Sequence, residues 1–467
     1  MRRPPDLWLS EQVEWLAMIL AVTLVLKFFV LEAYTIPTGS MQPAILGDAD
    51  AGLHDRVLVD KLVPMLRSPR RWEVTIFRLP LDERELYVKR LVGLPGETLE
   101  LRGGDVWIDG RIARKPPGVQ DSMLRAIAWT PDGGLPLAPW FLAAGDVAVD
   151  GTSARVPAGG RGTLDLRRPV TARYDHGYDP AWGIEPPGHS ENAVADLELS
   201  LTVTALPGPG GLTLAFRADD GVLALWLPAQ GDPREASILY APAQPADHPV
   251  RGSTDGPPAL DTPRTLWLDR SGRALPADRP ARVTAAWIDR RITLRVDDDI
   301  WLVHDQTDAG PRHEAPRRAG LSLALEGGGS LADVIVRRDV FYPPRTATTR
   351  WEIPEGHYFM LGDNAQASLD SRLFELRTVV LADREVTGFW LPAPPSGPAP
   401  PGANPLTRTD GRLAFADVHG DVTVFGTADV IAQHSAPAPF VHERYLLGKV
   451  LAVYWPVWPH FRWKLVR

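Results

Sequence analysis

Ser40 and Lys89 are the two side chains whose types and surroundings could do chemistry together. Ser40 lies in Ile-Pro-Thr-Gly-Ser-Met-Gln-Pro (residues 36–43), just beyond an apolar run, and Lys89 lies in Tyr-Val-Lys-Arg-Leu-Val-Gly-Leu-Pro-Gly-Glu (residues 87–97). A serine hydroxyl becomes a nucleophile only when a neighbouring base takes its proton, and a lysine is such a base only when neutral near pH 7. Burial favours the neutral amine and lowers a lysine pKa by up to about 5 units. Tyr87, Val88, Leu91 and Val92 are the residue types that supply a dry setting.

Two further stretches belong with these. Residues 55–61 read Asp-Arg-Val-Leu-Val-Asp-Lys, a strand-like run between the serine and the lysine. Residues 359–372 read Phe-Met-Leu-Gly-Asp-Asn-Ala-Gln-Ala-Ser-Leu-Asp-Ser-Arg. Taken singly, each of the four has a bland alternative: Ser-Met before a proline as an ordinary turn, Lys-Arg as an edge strand with solvated charges. Taken together, in this order, they resemble the type I signal peptidases, membrane-bound serine/lysine proteases that release exported proteins from their leaders. The resemblance covers roughly residues 14–117, 350–391 and 445–467.

It implies Ser40 as nucleophile and Lys89 as general base, with the Ser40 backbone N–H and the Thr38 hydroxyl as the oxyanion hole. Ser368 matches the serine that orients the lysine, Asp370 and Arg372 a structural ion pair, and Gly362, Asp363 and Asn364 the turn bringing that segment beside the base. Ala365-Gln366-Ala367 departs from the pattern, which often has an arginine followed by polar residues; the change alters a loop contact and leaves Ser40 and Lys89 untouched. Neither a metal nor a cofactor is expected, because no His or further carboxylate has ligand spacing beside Asp363 and Asp370. His357 reads as a surface or core histidine, since a serine/lysine pair needs none.

These segments need elements to hold them. Residues 15–31 form an apolar run broken only by Lys27, at the short end of what crosses a bilayer. Lys27 lies near its end, where a long stem can carry the charge to the interface. Arg2 and Arg3 precede the run and place the N-terminus in the cytoplasm. A cleaved leader would require a small-x-small site, and Glu32-Ala33-Tyr34-Thr35 is a poor one; a buried core helix is the other alternative. A single membrane anchor is expected, which keeps Ser40, nine residues beyond Leu31, within about 30 Å of the bilayer surface. The catalytic domain then lies on the outer, periplasmic face of the inner membrane.

At 467 residues the chain is too long for one core. A net charge of −8 argues against a general nucleic-acid binder, and the absence of cysteine removes disulfides and thiolate sites. With 46 prolines and 41 glycines, β-structure and turns are expected rather than a helical bundle. Between the catalytic stretches, Leu197, Leu199, Leu201 and Val203 alternate with Glu198, Ser200, Thr202 and Thr204. After Gly208-Pro209-Gly210-Gly211 the alternation resumes at Leu212, Leu214 and Phe216. Val283, Ala285 and Trp287 lead through Asp289-Arg290 to Ile292, Leu294 and Val296, a hairpin pattern. Leu321, Leu323 and Leu325 come before a Gly327-Gly328-Gly329 break. The pattern predicts an inserted β-sandwich and is similar to a concanavalin or laminin-G jelly roll.

The expected fold is mostly β. The cytoplasmic tail and anchor occupy 1–34, the catalytic domain 35–117 and 350–391, the sandwich 118–349, a Pro-rich linker and second small insertion 392–444, and a closing strand 445–467. The sandwich reads equally as a recognition module for a carbohydrate or protein ligand or as a packing accessory. Trp226, Trp287 and Trp301 are its candidates for stacking on sugars, although alternation places most of them in the core. Asp297-Asp298-Asp299 reads as a charged turn before a calcium site. Expected partners are leader-bearing precursors with small residues at the first and third positions before the cut, the lipid bilayer and the secretion translocon. The alternative function is an inactive, membrane-anchored binding protein using the sandwich for recognition. A self-cleaving or single-substrate protease is a third reading; no small-x-small site beside a disordered stretch supports self-cleavage, although Ala126-Ile127-Ala128 sits in the insertion.

Overall fold

The computed structural model describes residues 5–48, 52–79, 82–128, 130, 134–172, 192–218, 221–242, 266–277, 279–306, 319–390, 404–417, 419, 421–455 and 462–467. The chain divides into two compact units, Met1–Leu99 with Arg345–Arg467, and Glu100–Pro344.

The first unit begins with α1 (Pro5–Val25), a π-helical turn over Leu26–Val30 and strand β1 (Leu31–Ile36). The anchor expected over residues 15–31 is therefore not one helix. It stops at Val25, and Leu31 already pairs with Asp60. Phe28, Phe29 and Val30 are strand-favouring types, and the sheet beyond them offers the backbone partners that a continued helix would forgo. No helix among the described residues is long and apolar enough to cross a membrane.

Beyond β1 come β2 (Gly47–Asp48), β3 (Leu53–Asp60), β4 (Val74–Leu79), β5 (Asp82–Gly93), β6 (His357–Leu361), β7 (Phe440–His442), β8 (Leu446–Trp455) and β9 (Lys464–Leu465). They form one nine-stranded sheet in the order β1-β3-β8-β4-β5-β6-β7, with β2 on β3 and β9 on β8. The last long strand thus lies inside the sheet, between β3 and β4, while residues 456–461 of the expected closing segment lie outside the described residues. On β4, alternation sends Val74 and Ile76 into a cluster with Met41, Ile45, Val57 and Val450. Phe77 and Leu79 enter a second cluster with Leu91, Met360 and Phe374 on the other face. Apolar packing on both faces explains why β4 reads as a nearly continuous hydrophobic run.

Part of the expected linker, residues 392–403, lies outside the described residues. The segment after it is structured: Leu406–Thr407, Leu413–Ala416 and Val422–Phe425 form a small sheet. Phe415 and Phe425 from that sheet share a core with Val379 and Val386 from the hairpin Glu375–Val380/Glu385–Phe389.

The second unit is a β-sandwich of a seven-stranded and an eight-stranded sheet. Leu197, Leu199, Leu201 and Val203 from one sheet and Leu212, Leu214, Phe216, Leu321, Leu323 and Leu325 from the other fill a common core. The hairpin turns at Asp289 and Arg290, both with positive φ (47° and 56°), as a two-residue turn matched to the strand twist requires. None of the three tryptophans is an exposed platform. Trp287 lies in the core, Trp301 packs half-buried against it, and Trp226 is buried beneath the Arg234 guanidinium at 3.8 Å. Asp297 occupies a turn, accepts from Arg282 N and pairs with Arg279. Ala126 is paired with Arg337 in a strand and Ile127 is buried, so the internal Ala-x-Ala is held in the sheet rather than presented for cutting.

Candidate active site

β1 ends at Ile36, and the chain turns through the short 3₁₀ segment Gly39–Met41 that carries Ser40. The residues just after this turn fix it in place: Met41, Ala44 and Ile45 are anchored in the core, and Leu46 N donates to the buried Asp55 carboxylate at 2.7 Å. Gly47 passes so close that an added Cβ would meet Thr38 O at 2.5 Å and Ile36 O at 2.6 Å. No side chain is tolerated there.

Lys89 comes from the interior of β5, opposite Thr75 on β4. Its Nζ donates to Ser40 Oγ at 2.8 Å and to Val88 O at 3.1 Å, and lies 5.2 Å from the centre of the Tyr87 ring. Lys89 is 3% exposed and Ser40 8%. Burial pushes the Lys89 ammonium down to about 8, against the opposing pull of the Asp370 and Asp363 carboxylates. An amine with that pKa is substantially neutral in mildly alkaline water and retains a neutral fraction at pH 7.

The segment after β6 holds the pair from behind. Asn364 N donates to Ser40 O at 3.1 Å, and Asn364 Nδ2 donates to Gly39 O at 3.1 Å. Asp363 accepts from Arg90 Nε and Nη2, both at 2.7 Å, in a bidentate pair with no exposed surface. Asp370 accepts in the same way from Arg372 Nε and Nη2, both at 2.8 Å, and from Gly362 N at 3.1 Å. Burial alone would raise the Asp370 carboxyl, but Arg372 and the Gly362 N–H hold it below the usual carboxylate range. Ser368 is buried nearby, close enough to Asp370 to share in that lowering. Its Oγ nevertheless has no partner in hydrogen-bonding geometry, and so makes no bond to Lys89. In the departing loop, Ala365 O accepts from Arg372 Nη2 at 2.6 Å and Gln366 O accepts from Arg345 Nη1 at 2.5 Å.

A cleft of about 380 Å³ opens onto Ser40 and Lys89. Its walls are Tyr34, Ile36 and Thr38 on the nucleophile side and Leu86 and Tyr87 on the base side, with Leu369 beyond. Thr38 is exposed and extended, its side chain free of any capping bond. His357 stands apart, packed edge-on against His442.

Sequence reasoning gave Arg90 no role, although two adjacent cations in an apolar strand demand a buried partner for at least one. It also missed a cluster in the second unit, where Asp105, Asp196 and Asp289 each bring a carboxylate oxygen within 4.8 Å of the others. Lys115 Nζ donates there to Asp289 at 2.7 Å and pairs with Asp339 at 2.8 Å. Burial pushes the Asp339 carboxyl up to about 7 in spite of Lys115. These acids are scattered over 235 positions of sequence, so no local motif announces them.

Comparison with known proteins finds a family match on two separate parts of the chain. The profile of the family described as signal peptidase, peptidase S26, matches residues 9–126 and 335–389. A probable signal peptidase I-2 of Synechocystis sp. is 31% identical over 116 residues, which is 23% of this chain and 49% of its own length. Signal peptidase I of Pseudomonas aeruginosa is 33% identical over 118 residues, 23% of this chain and 41% of its own. The chain thus spans about half the length of the curated relatives it matches. Among solved structures, the carbohydrate-binding module CBM66 from Bacillus subtilis aligns over 44% of this chain and 98% of its own, at 8% identity and a TM-score of 0.27. The VIP36 exoplasmic/lumenal domain aligns over 45% and 89%, at 12% identity and a TM-score of 0.28. Likenesses this loose carry no argument about the sandwich or its ligand. The family profile matches the segments that carry Ser40, Lys89 and the Gly362–Asn364 turn, so these parts of the chain are similar to the signal peptidase family, peptidase S26, and the β-sandwich lies between the two matched parts.

Proposed function

We propose that this protein is an endopeptidase that removes N-terminal signal peptides from exported precursors, with Ser40 as nucleophile and Lys89 as general base. The observation that carries the reading is the 2.8 Å contact from Lys89 Nζ to Ser40 Oγ, buried at the floor of an open cleft, with a lysine whose pKa is lowered to about 8. Neutral Lys89 takes the Ser40 proton as Oγ attacks the scissile carbonyl, and the resulting ammonium returns that proton to the leaving amine. The Ser40 N–H and the Thr38 hydroxyl, on the cleft wall, serve the developing oxyanion. Each such donor is worth about 10²–10³ in rate. Asp363, Asn364, Asp370 and Arg372 act by holding the nucleophile and base backbones in register. Ser368 completes the set by orienting the Lys89 amine during turnover, its unpaired hydroxyl being available for that bond.

The same reading puts α1 in the lipid of the inner membrane, with the catalytic unit on the outer face. Trp15, Leu16, Ile19, Leu20 and Val22 on α1 and Phe29 just after it are each more than half exposed, and an apolar surface running round a helix suits lipid rather than water. Leader-bearing precursors, and the translocon that delivers them, would meet the cleft close to that surface.

The test is cleavage of a leader-bearing precursor by the full chain in liposomes. The wild type should cut after a small residue, Ser40→Ala and Lys89→Ala should lose nearly all rate, and the protein should float with the lipid. Persistence of cutting in Lys89→Ala would end the serine/lysine reading.

A further inference from the structure

The last described segment, residues 462–467, reaches into the back of the site from an element that no catalytic role yet covers. Arg462 pairs with Asp55 at 3.0 Å, the same carboxylate that anchors Leu46 N after the nucleophile turn. Lys464 Nζ donates to Pro43 O at 3.2 Å, three residues beyond Ser40. Arg467 O accepts from Arg90 Nη1 at 2.8 Å, whose guanidinium also holds Asp363. Val466 is buried in the core beside Met41 and Ile45. One short segment therefore touches the loop after the nucleophile, the residue after the base and the strand that anchors the loop.

Charged groups crowd round the Lys464 amine. Lys464 faces Arg462 from its own segment, Asp55 from β3, Asp363 from the turn after β6 and Arg90 from β5. Lys464 thus shares a largely enclosed space with two guanidiniums and two carboxylates, where a charge is costly unless it is paired. Lys464 is the only one of the three cations that can discharge, because a guanidinium keeps its proton.

We propose that residues 462–467 form a positioning element for the Ser40/Lys89 pair, acting chiefly through Lys464. This rests on the reading of that pair as nucleophile and base. Lys464 holds the Pro43 carbonyl, and with it the turn bearing Ser40, while its charge competes for the Asp363 carboxylate that also draws on the Lys89 ammonium. Burial lowers Lys464 itself to about 8, the same direction in which it moves Lys89. Removing the Lys464 charge frees Asp363 to favour the charged form of Lys89, which raises the pH at which Lys89 becomes neutral.

Lys464→Met and Lys464→Arg in the full chain test this by two readouts. One is kcat and KM on a leader peptide from pH 6 to 10. The other is acetylation of Lys89 against pH, followed by mass spectrometry. Lys464→Met should lower kcat at pH 7 about tenfold with KM within about twofold, the pattern of a misplaced reacting group. The Lys89 midpoint should move to higher pH. Lys464→Arg, which keeps donor and charge, should recover part of the rate and leave the midpoint in place. The proposal is overturned if Lys464→Met matches the wild type in both readouts. It is equally overturned if the rate falls only with the folded fraction while the Lys89 midpoint stays put. A wild type that cuts no precursor would defeat the peptidase reading alone, because the acetylation profile still reports the coupling.

Discussion

Arg90 and Asp363 meet through two parallel hydrogen bonds of 2.7 Å, Nε to Oδ1 and Nη2 to Oδ2, with neither side chain exposed. They are 273 residues apart in sequence and belong to the two parts of the chain separated by the sandwich. Arg90 comes directly after the base, and Asp363 precedes the residue that grips the Ser40 carbonyl. This ion pair is the stitch that registers the base strand against the nucleophile turn.

Removing one partner strands the other charge in a dry site. Arg90→Met should therefore cost about 3–5 kcal/mol, the usual range for breaking a buried pair. Urea unfolding of the first unit reads this directly. A loss below about 1 kcal/mol would mean that Asp363 escapes to water or takes up a proton at little cost.

In the proposed mechanism the pH dependence of turnover is set by Lys89. Only the neutral amine accepts the Ser40 proton, so kcat/KM should climb tenfold per pH unit on the acid side and level off above about 8, where burial places the lysine. A profile still climbing towards pH 10 would place the lysine at its ordinary value and contradict the dry site.

The same burial makes Lys89 a stability liability. Its pKa falls from 10.5 unfolded to about 8 folded, so between those values the unfolded chain binds the extra proton and native stability rises with pH. Below about pH 8 both states are charged and the native state carries the whole penalty, about 3 kcal/mol at 1.36 kcal/mol per unit. Lys89→Met should then be inactive yet more stable than the wild type at pH 7, with the gain fading as pH approaches 10.5. Urea midpoints of both proteins at pH 7 and pH 10 give the comparison.

Much of this site could be read from short runs of residues. The Ser40 and Lys89 stretches, read as a nucleophile and a base, hold side chains that the fold brings to 2.8 Å of each other, and the period-two alternation at Leu197–Val203 and Val283–Val296 matched strands that bury the alternating apolar side chains. Charge pairing across long separations could not be read the same way. Nothing around Arg462 or Lys464 signals that they close on Asp55 and Pro43, because that contact exists only once β9 lies on β8. Residues 15–31 misled for a related reason. Composition alone favours a continuous helix, whereas backbone pairing of Leu31 with Asp60 takes the end of the run into the sheet. Ser368 was placed on the lysine by resemblance, and the folded chain leaves its hydroxyl buried without a partner.

Gly362 gives the sharpest test of how the two halves of the site fit. A methyl group added there would meet Ser368 Oγ at 2.2 Å and the backbone oxygen of Ser40 at 2.5 Å. The first contact involves a hydroxyl that has no partner, and so can be relieved by trimming it away. The second involves the carbonyl that Asn364 N holds at 3.1 Å, on the residue that also presents Oγ to Lys89. Gly362→Ala should therefore push the nucleophile turn off its support, costing about 1–3 kcal/mol as overpacking does. The loss of rate should be larger than that stability change explains, because a displacement of about 1 Å at a reacting atom costs about 10² in rate. The double variant Gly362→Ala/Ser368→Ala should recover stability in part, yet stay well below the rate of Ser368→Ala alone, which carries whatever the loss of that hydroxyl costs. If the double variant matches Ser368→Ala in rate, the obstruction is the Ser368 hydroxyl, and the Ser40 carbonyl has room to spare.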